Sequence, residues 1–276
     1  PQIVIGLTIV AAGTSMPEFF VSLLSAINGT PDLAVGNVVG SNIFNTLLIV
    51  GCTAMVAPIA ILRITVRRDI PFAVLASVAL TVMCMDSNIS RIDAIILLLL
   101  FAGFMWMTLR GARSEGKDPA EASSEKTVGA VRAVLLIVIG LACLVAGSDI
   151  FVDNASAIAN SLNVSDAIIG LTIVAGGTSL PELATSVVSA RKGDSGIAIG
   201  NVLGSNVFNI LAILGFTGII HPMSIQGITM VDLWMMILSM VLLWLFSFTK
   251  YRVQRWEGVL LAAVYVAYMC WLLVNV

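Results

Sequence analysis

The chain has 276 residues, 59% of them hydrophobic and 11% charged, with a mean hydropathy of +1.04; soluble domains carry roughly 25% charged residues, so a soluble protein is excluded. A formal net charge of −2 with scattered basic residues leaves no nucleic-acid footprint. The four cysteines sit in four different apolar stretches without CxxC spacing and His221 stands alone, so neither a disulfide framework nor a soft-metal site is expected, and no cofactor is implied.

Windows of about 20 apolar residues, enough to cross a ~30 Å hydrocarbon core, predict membrane spans at 3–27, 33–57, 70–86, 92–109, 132–152, 167–189, 196–219, 230–248 and 257–275. The segment Gly6 to Gly51 reappears without gaps as Gly170 to Gly215, a constant offset of 164. GLTIVAAGTSMPE (6–18) matches GLTIVAGGTSLPE (170–182), and GNVVGSNIFN (36–45) matches GNVLGSNVFN (200–209). The same offset gives the span at 132–152 a counterpart that would precede Pro1, so the chain is expected to begin inside its first repeat. Ten spans, five per half, are therefore expected. The predicted organisation is a first repeat at 1–110, a short polar linker at 111–131 and a second repeat at 132–276.

Thirteen of the fourteen Lys and Arg residues fall in loops on one side of this arrangement, with Arg91 on the other, and basic loops mark the cytoplasmic face. The linker is thus expected in the cytoplasm and the chain in the cell (inner) membrane, multi-pass in the lipid bilayer. An odd number of spans per half makes the copies run in opposite directions. The predicted fold class is an all-α polytopic membrane protein built from two inverted-topology five-helix repeats, an arrangement suited to alternating access.

The chemistry is concentrated at GTSMPE and GTSLPE. A proline inside a helix lacks an N–H, so Pro17 is expected to disturb the bond at Gly13 and Pro181 that at Gly177, freeing carbonyls that need a partner in lipid. Glu18 and Glu182 lie near the middle of their spans, where an ionised side chain costs at least ~2.5–3.5 kcal/mol. No Lys or Arg lies at membrane depth to pair with them. Two such carboxylates call for a divalent cation, two monovalent ones, or protons. Asn37, Ser41 and Asn45, spaced four apart, share one helical stripe, and Asn201, Ser205 and Asn209 repeat it. Carboxylates, neutral oxygens and free carbonyls form an all-oxygen set suited to hard cations such as Ca²⁺ or Na⁺. Asn42 and Asn206 lie off the stripe and are expected to bond freed backbone. Gly36 with Gly40, and Gly200 with Gly204, form GxxxG pairs read chiefly as helix packing.

A cation channel would more often set rings of charge around an oligomer axis, and an intramembrane hydrolase would need a nucleophile with a base or an HExxH motif, which is absent here. A carrier fits better than a channel or an enzyme. The paired GTS-x-PE and GN-V-x-GSN-x-FN motifs resemble the two alpha repeats of sodium/calcium exchangers, in the calcium/cation antiporter superfamily, most like its compact prokaryotic members. That resemblance implies antiport of Ca²⁺ against Na⁺. It implies that Glu18 and Glu182 ligate Ca²⁺ and also serve Na⁺, that Ser15, Ser179, Ser41 and Ser205 give hydroxyls to Na⁺, and that the carbonyls of Thr14 and Thr178 face the central ion. Ala11 and Ala175 match carbonyl ligands of the outer Na⁺ positions, and Asn45 matches an asparagine central to its helix. Asn209 stands where many of these exchangers carry aspartate, leaving two carboxylates, a count also found in proton-coupled calcium exchangers. The serine pairs favour Na⁺, with H⁺ as the alternative coupling ion and K⁺ dependence and oligomeric state left open.

Overall fold

The computed structural model describes residues 2–115 and 164–274, with scattered positions between 135 and 161. The predicted span at 132–152 and most of the linker at 111–131 fall largely outside the described residues. The helices are α1 (Gln2–Thr14), α2 (Met16–Ile27), α3 (Pro31–Val56), α4 (Thr65–Asp86), α5 (Arg91–Glu115), α6 (Asp166–Thr178), α7 (Leu180–Arg191), α8 (Ser195–Ile220), α9 (Met230–Ser247) and α10 (Arg255–Val274). Among the described residues six are long and apolar enough to cross a bilayer singly, and α1 with α2 and α6 with α7 each form a bent span. Helices suit this setting because they satisfy every backbone group within the segment.

Three spans depart from the sequence expectation. The residues at 3–27 and 167–189 do not form continuous helices with a proline inside: the axis turns by 46° between α1 and α2 and by 43° between α6 and α7. The turns occur at Ser15 and Ser179, and Pro17 and Pro181 fall in the first turn of the second half-helix. There the missing N–H is one that would have no intrahelical partner anyway. The third span begins not at 70 but at Thr65, so Arg67 and Arg68 lie on the helix. Pro71 offers no N–H to the carbonyl four residues back, and a π turn at Thr65–Asp69, with Ile70 N–H donating to Thr65 O, carries the helix past that gap.

Four two-residue strands fix which loops share a face. β1 (Ile59–Ala60) pairs antiparallel with β4 (Arg252–Val253), and β2 (Asn88–Ile89) with β3 (Met223–Ser224). Under the 164-residue offset β1 corresponds to β3 and β2 to β4. Each pair therefore joins non-equivalent loops, and the offset turns one pair into the other: Ile59 opposite Val253 becomes Met223 opposite Ile89. Equivalent loops lie on opposite faces, as an inverted repeat demands. On the β1–β4 face Arg63 sits 5.0 Å from the Tyr251 ring centroid and Arg255 reaches the Val56 carbonyl. On the other face Asp32 Oδ1 accepts from the Gln226 and Gly227 amides at 2.9 Å each.

The core consists of α3 and α8, whose spanning windows are 89% buried, against 22% for α5 and 28% for α10 on the lipid side. Each core helix presses on the broken helix of the opposite repeat. A Cβ at Gly40 would meet Leu171 O at 2.5 Å, and one at Gly204 would meet Leu7 O and the Ala11 methyl at 2.7 Å. The GxxxG glycines are therefore packing residues that bring backbones of the two repeats together. Short turns return α2 and α7 to these core helices through Gly29 (φ 84°) and Gly193 (φ 86°). In each turn the residue after the glycine donates five positions back, Thr30 to Ser25 O and Asp194 to Ser189 O, both at 2.9 Å, the Schellman closure that needs a left-handed residue.

Candidate cation site

The four half-helices meet α3 and α8 around a group of fully buried polar residues. Ser15 (φ −86°, ψ 10°) and Ser179 (φ −85°, ψ 7°) leave helical geometry to make the breaks. Each break sets the carbonyl end of one half-helix beside the amide end of the next, at residues buried in the protein interior. Glu18 and Glu182 lie in the first turns of α2 and α7, where the helix dipole favours a carboxylate, while the carbonyl ends of α1 and α6 suit a cation. π-helical turns at Gly6–Val10 and Gly170–Val174 precede the breaks, and further π turns at Phe44–Ile49 and Phe208–Ile213 carry Asn45 and Asn209. Such turns gather at functional sites.

Glu18 and Glu182 have no measurable exposure. Each is held by a serine of the opposite repeat: Ser179 Oγ donates to Glu18 Oε1 and Ser15 Oγ to Glu182 Oε1, both at 2.9 Å. Ser205 also donates to Glu182 Oε1 at 3.3 Å. Its counterpart Ser41 donates instead to the Ala175 carbonyl at 3.4 Å. That carbonyl also accepts from Ser179 N–H and from Thr178 Oγ1, as the Ala11 carbonyl does from Ser15 N–H and Thr14 Oγ1.

Asn37 and Asn201, on the helical stripes they share with Asn45 and Asn209, bracket the breaks. Asn37 Nδ2 donates to the Glu18 carbonyl and to Ser22 Oγ, and its Oδ1 accepts from Thr178 Oγ1. Asn201 does the same with the Glu182 carbonyl, Ser186 and Thr14. The Thr14 and Thr178 hydroxyls thus serve the scaffold. Contrary to the sequence reading, Asn206 does not bond freed backbone: its amide faces Asn45 and Thr46. Asn42 does bond backbone, at Val38 O one turn back. Ser22, Ser186, Thr46 and Met240 were not singled out from sequence. The duplication signals Ser22 and Ser186, which are paired across the repeats, but Thr46 and Met240 have no such counterpart.

Several buried atoms at this centre lack a hydrogen-bond partner among the described residues: Glu18 Oε2, Glu182 Oε2, Asn45 Oδ1, and Asn209 Oδ1 and Nδ2. The described residues contain no group of three His, Cys, Asp or Glu placed to hold a metal, so a cation here would rest on two carboxylates and neutral oxygens. The ion pair of Arg68 with Asp69 at 2.7 Å adjoins the basic face, and among the described residues no Lys or Arg is paired with either glutamate.

The model of the family described as sodium/calcium exchanger protein matches residues 1–110 and 132–274. This chain belongs to that family. The chain is 39% identical over 231 residues to the inner membrane protein YrbG of Escherichia coli, covering 80% of this chain and 70% of that one. It is 32% identical over 308 aligned positions to the sodium/calcium exchanger MaX1 of Methanosarcina acetivorans, covering 97% and 88%. Among solved structures it is similar to the sodium-calcium exchanger NCX_Mj soaked with 100 mM Na⁺ and 10 mM Sr²⁺, with a TM-score of 0.80 and 32% identity, covering 98% of this chain and 86% of the other. The family match leaves residues 111–131 outside it, between the two halves carrying the paired motifs.

Proposed function

We propose that this exchanger-family member is a secondary active antiporter that moves Ca²⁺ against Na⁺ by alternating access, with repeats at 1–110 and 132–276 and a cytoplasmic linker at 111–131. The observation that carries the reading is the set of unpartnered buried oxygens on Glu18, Glu182, Asn45 and Asn209. Buried carboxylate oxygens left without partners are costly, and a cation bound among them removes the cost. Glu18 and Glu182 ligate Ca²⁺ and share in Na⁺ binding. The Ser15, Ser179, Ser41 and Ser205 hydroxyls turn lone pairs toward Na⁺, as do the carbonyls of Ala11 and Ala175, while those of Thr14 and Thr178 face the central ion. Asn45 and Asn209 complete the set as neutral ligands.

Exchange follows from competition. One Ca²⁺ or several Na⁺ neutralise the two carboxylates, but both cargoes together would exceed that charge. A loaded site is electrically balanced and able to switch faces; an empty one retains two unpaired charges that resist passage through a dry barrier. The near-equivalence of the halves supplies the two end states, since exchanging their roles turns an outward-open arrangement into an inward-open one. The basic face, which includes Arg63, Lys192 and Arg255, lies in the cytoplasm of the cell membrane.

The test is ⁴⁵Ca²⁺ uptake into proteoliposomes. An outward Na⁺ gradient should drive uptake, and an equal pH gradient should not. Uptake driven by the pH gradient alone would assign H⁺ as coupling ion, for which Asn209, with only two carboxylates left at the centre, is the favouring observation. Uptake without any trans ion would make the protein a channel.

A further inference from the structure

Asn45 and Asn209 occupy equivalent places in the two repeats, yet their surroundings differ. Asn45 Nδ2 donates to Asn206 Oδ1 at 3.1 Å, and Asn206 Nδ2 donates to Thr46 Oγ1 at 2.7 Å. The Met240 sulfur lies 3.7 Å from Thr46 Oγ1 and 3.9 Å from Asn206 Nδ2. All four residues are buried, Asn206 and Met240 to within 1%. At the corresponding places of the other repeat stand Asn209, Asn42, Ile210 and Ala76. Neither Ile210 nor Ala76 carries a polar group, Asn42 Nδ2 is engaged by Val38 O, and both polar atoms of Asn209 lack partners among the described residues.

A thioether can only accept hydrogen bonds. It therefore takes the Thr46 hydroxyl proton and faces the NH₂ side of the Asn206 amide. With its proton committed to sulfur, the Thr46 oxygen is available as acceptor for Asn206 Nδ2. Asn206 must then turn its oxygen toward Asn45, and Asn45 must answer with its NH₂. The remaining atom, Asn45 Oδ1, is the buried oxygen without a partner. We propose that Met240, Thr46 and Asn206 are positioning residues that hold Asn45 with its amide oxygen presented to the cation. The proposal rests on the cation-site reading above. The site is thereby one-sided: Asn45 is a fixed oxygen ligand, whereas no corresponding chain of hydrogen bonds among the described residues sets the amide of Asn209.

The decisive variant is Thr46→Val, which removes the hydroxyl and keeps the β-branched shape, with Met240→Leu as a second route that removes the acceptor. Each is measured in proteoliposomes by Na⁺-driven ⁴⁵Ca²⁺ uptake, alone and in an Asn45→Ala background. Thr46→Val should raise the half-saturating Ca²⁺ concentration about fivefold, the weight of one hydrogen bond, with the maximal rate changed less than twofold; Thr46→Ser should restore it. In the Asn45→Ala background Thr46→Val should add nothing, because it acts only through that amide. An unchanged Ca²⁺ dependence in both Thr46→Val and Met240→Leu, or the same fivefold rise with and without Asn45, overturns the proposal while leaving the site intact. If Asn45→Ala itself leaves Ca²⁺ and Na⁺ dependence unaltered, the placement of the cation beside Asn45 fails and the positioning role fails with it.

Discussion

Ser15 and Glu182 are 167 positions apart and joined by a 2.9 Å hydrogen bond, and the bond from Ser179 to Glu18 repeats it at the same length. Each glutamate is thus restrained by the helix break of the other repeat. A change of tilt between the halves would alter both contacts, so the bonds couple carboxylate orientation to the relative position of the repeats.

Removing either hydroxyl should be felt most by Na⁺. Ser15→Ala and Ser179→Ala each delete the hydrogen bond that orders a carboxylate, together with a hydroxyl proposed to face Na⁺, at a cost of about 1 kcal/mol. The expected result is a severalfold higher half-activating Na⁺ concentration with a smaller change for Ca²⁺. Titration of ⁴⁵Ca²⁺ exchange against each ion checks it, and equal losses for both ions would place the serines in the scaffold alone.

Close approach of the backbones can be tested by adding one carbon. Gly40→Ala and Gly204→Ala drive a methyl against Leu171 O and Leu7 O. Both contacts are backbone and cannot swing aside, so each variant should lose about 1–3 kcal/mol, read as a lower melting temperature in detergent. Gly103, on α5, has nothing within 4 Å of an added Cβ. Gly103→Ala should hold or raise stability, by up to about 1 kcal/mol, through helix propensity alone.

Whether a feature is legible in the sequence depends on the kind of interaction that makes it. The copying of 6–51 into 170–215 made span order, inverted sense and the polar positions legible, because duplicated polar residues inside apolar stretches are conspicuous. The proline signal located the disturbance in each span but not its form. Which residue leaves helical geometry, here Ser15 and Ser179, depends on packing against α3 and α8. The π turns at Gly6–Val10 and Phe44–Ile49 leave no periodic trace in composition. The contact of Thr46 with Met240 spans 194 positions and has no counterpart in the other repeat, so nothing in the sequence pairs them.

Topology has a chemical test. Lys192 and Gln226 are exposed at opposite faces, the first beside the α7–α8 turn and the second beside the β2–β3 pair. Single cysteines there, in a background lacking the native four, should react with an impermeant thiol reagent from opposite sides of the membrane, Lys192→Cys from the cytoplasm. Labelling of both from one side would contradict the inverted arrangement.

Asn209→Ala should weaken Ca²⁺ exchange less than loss of either glutamate charge, since a neutral ligand contributes less than an ionised one. Comparison of half-saturating Ca²⁺ among Asn209→Ala, Glu18→Gln and Glu182→Gln checks the ranking. Equal severity would show that the centre depends on more than its two carboxylates.

Under the proposed exchange, Glu18 and Glu182 are the charges that cargo neutralises. The most direct test is Na⁺-driven ⁴⁵Ca²⁺ uptake by proteoliposomes carrying Glu18→Gln or Glu182→Gln, each shown to be folded by a single size-exclusion peak. Each substitution keeps the shape and the acceptor for Ser179 or Ser15 while removing one charge. Both variants should fold and lose exchange; exchange retained at near wild-type rate in either one would show that its glutamate charge is not required.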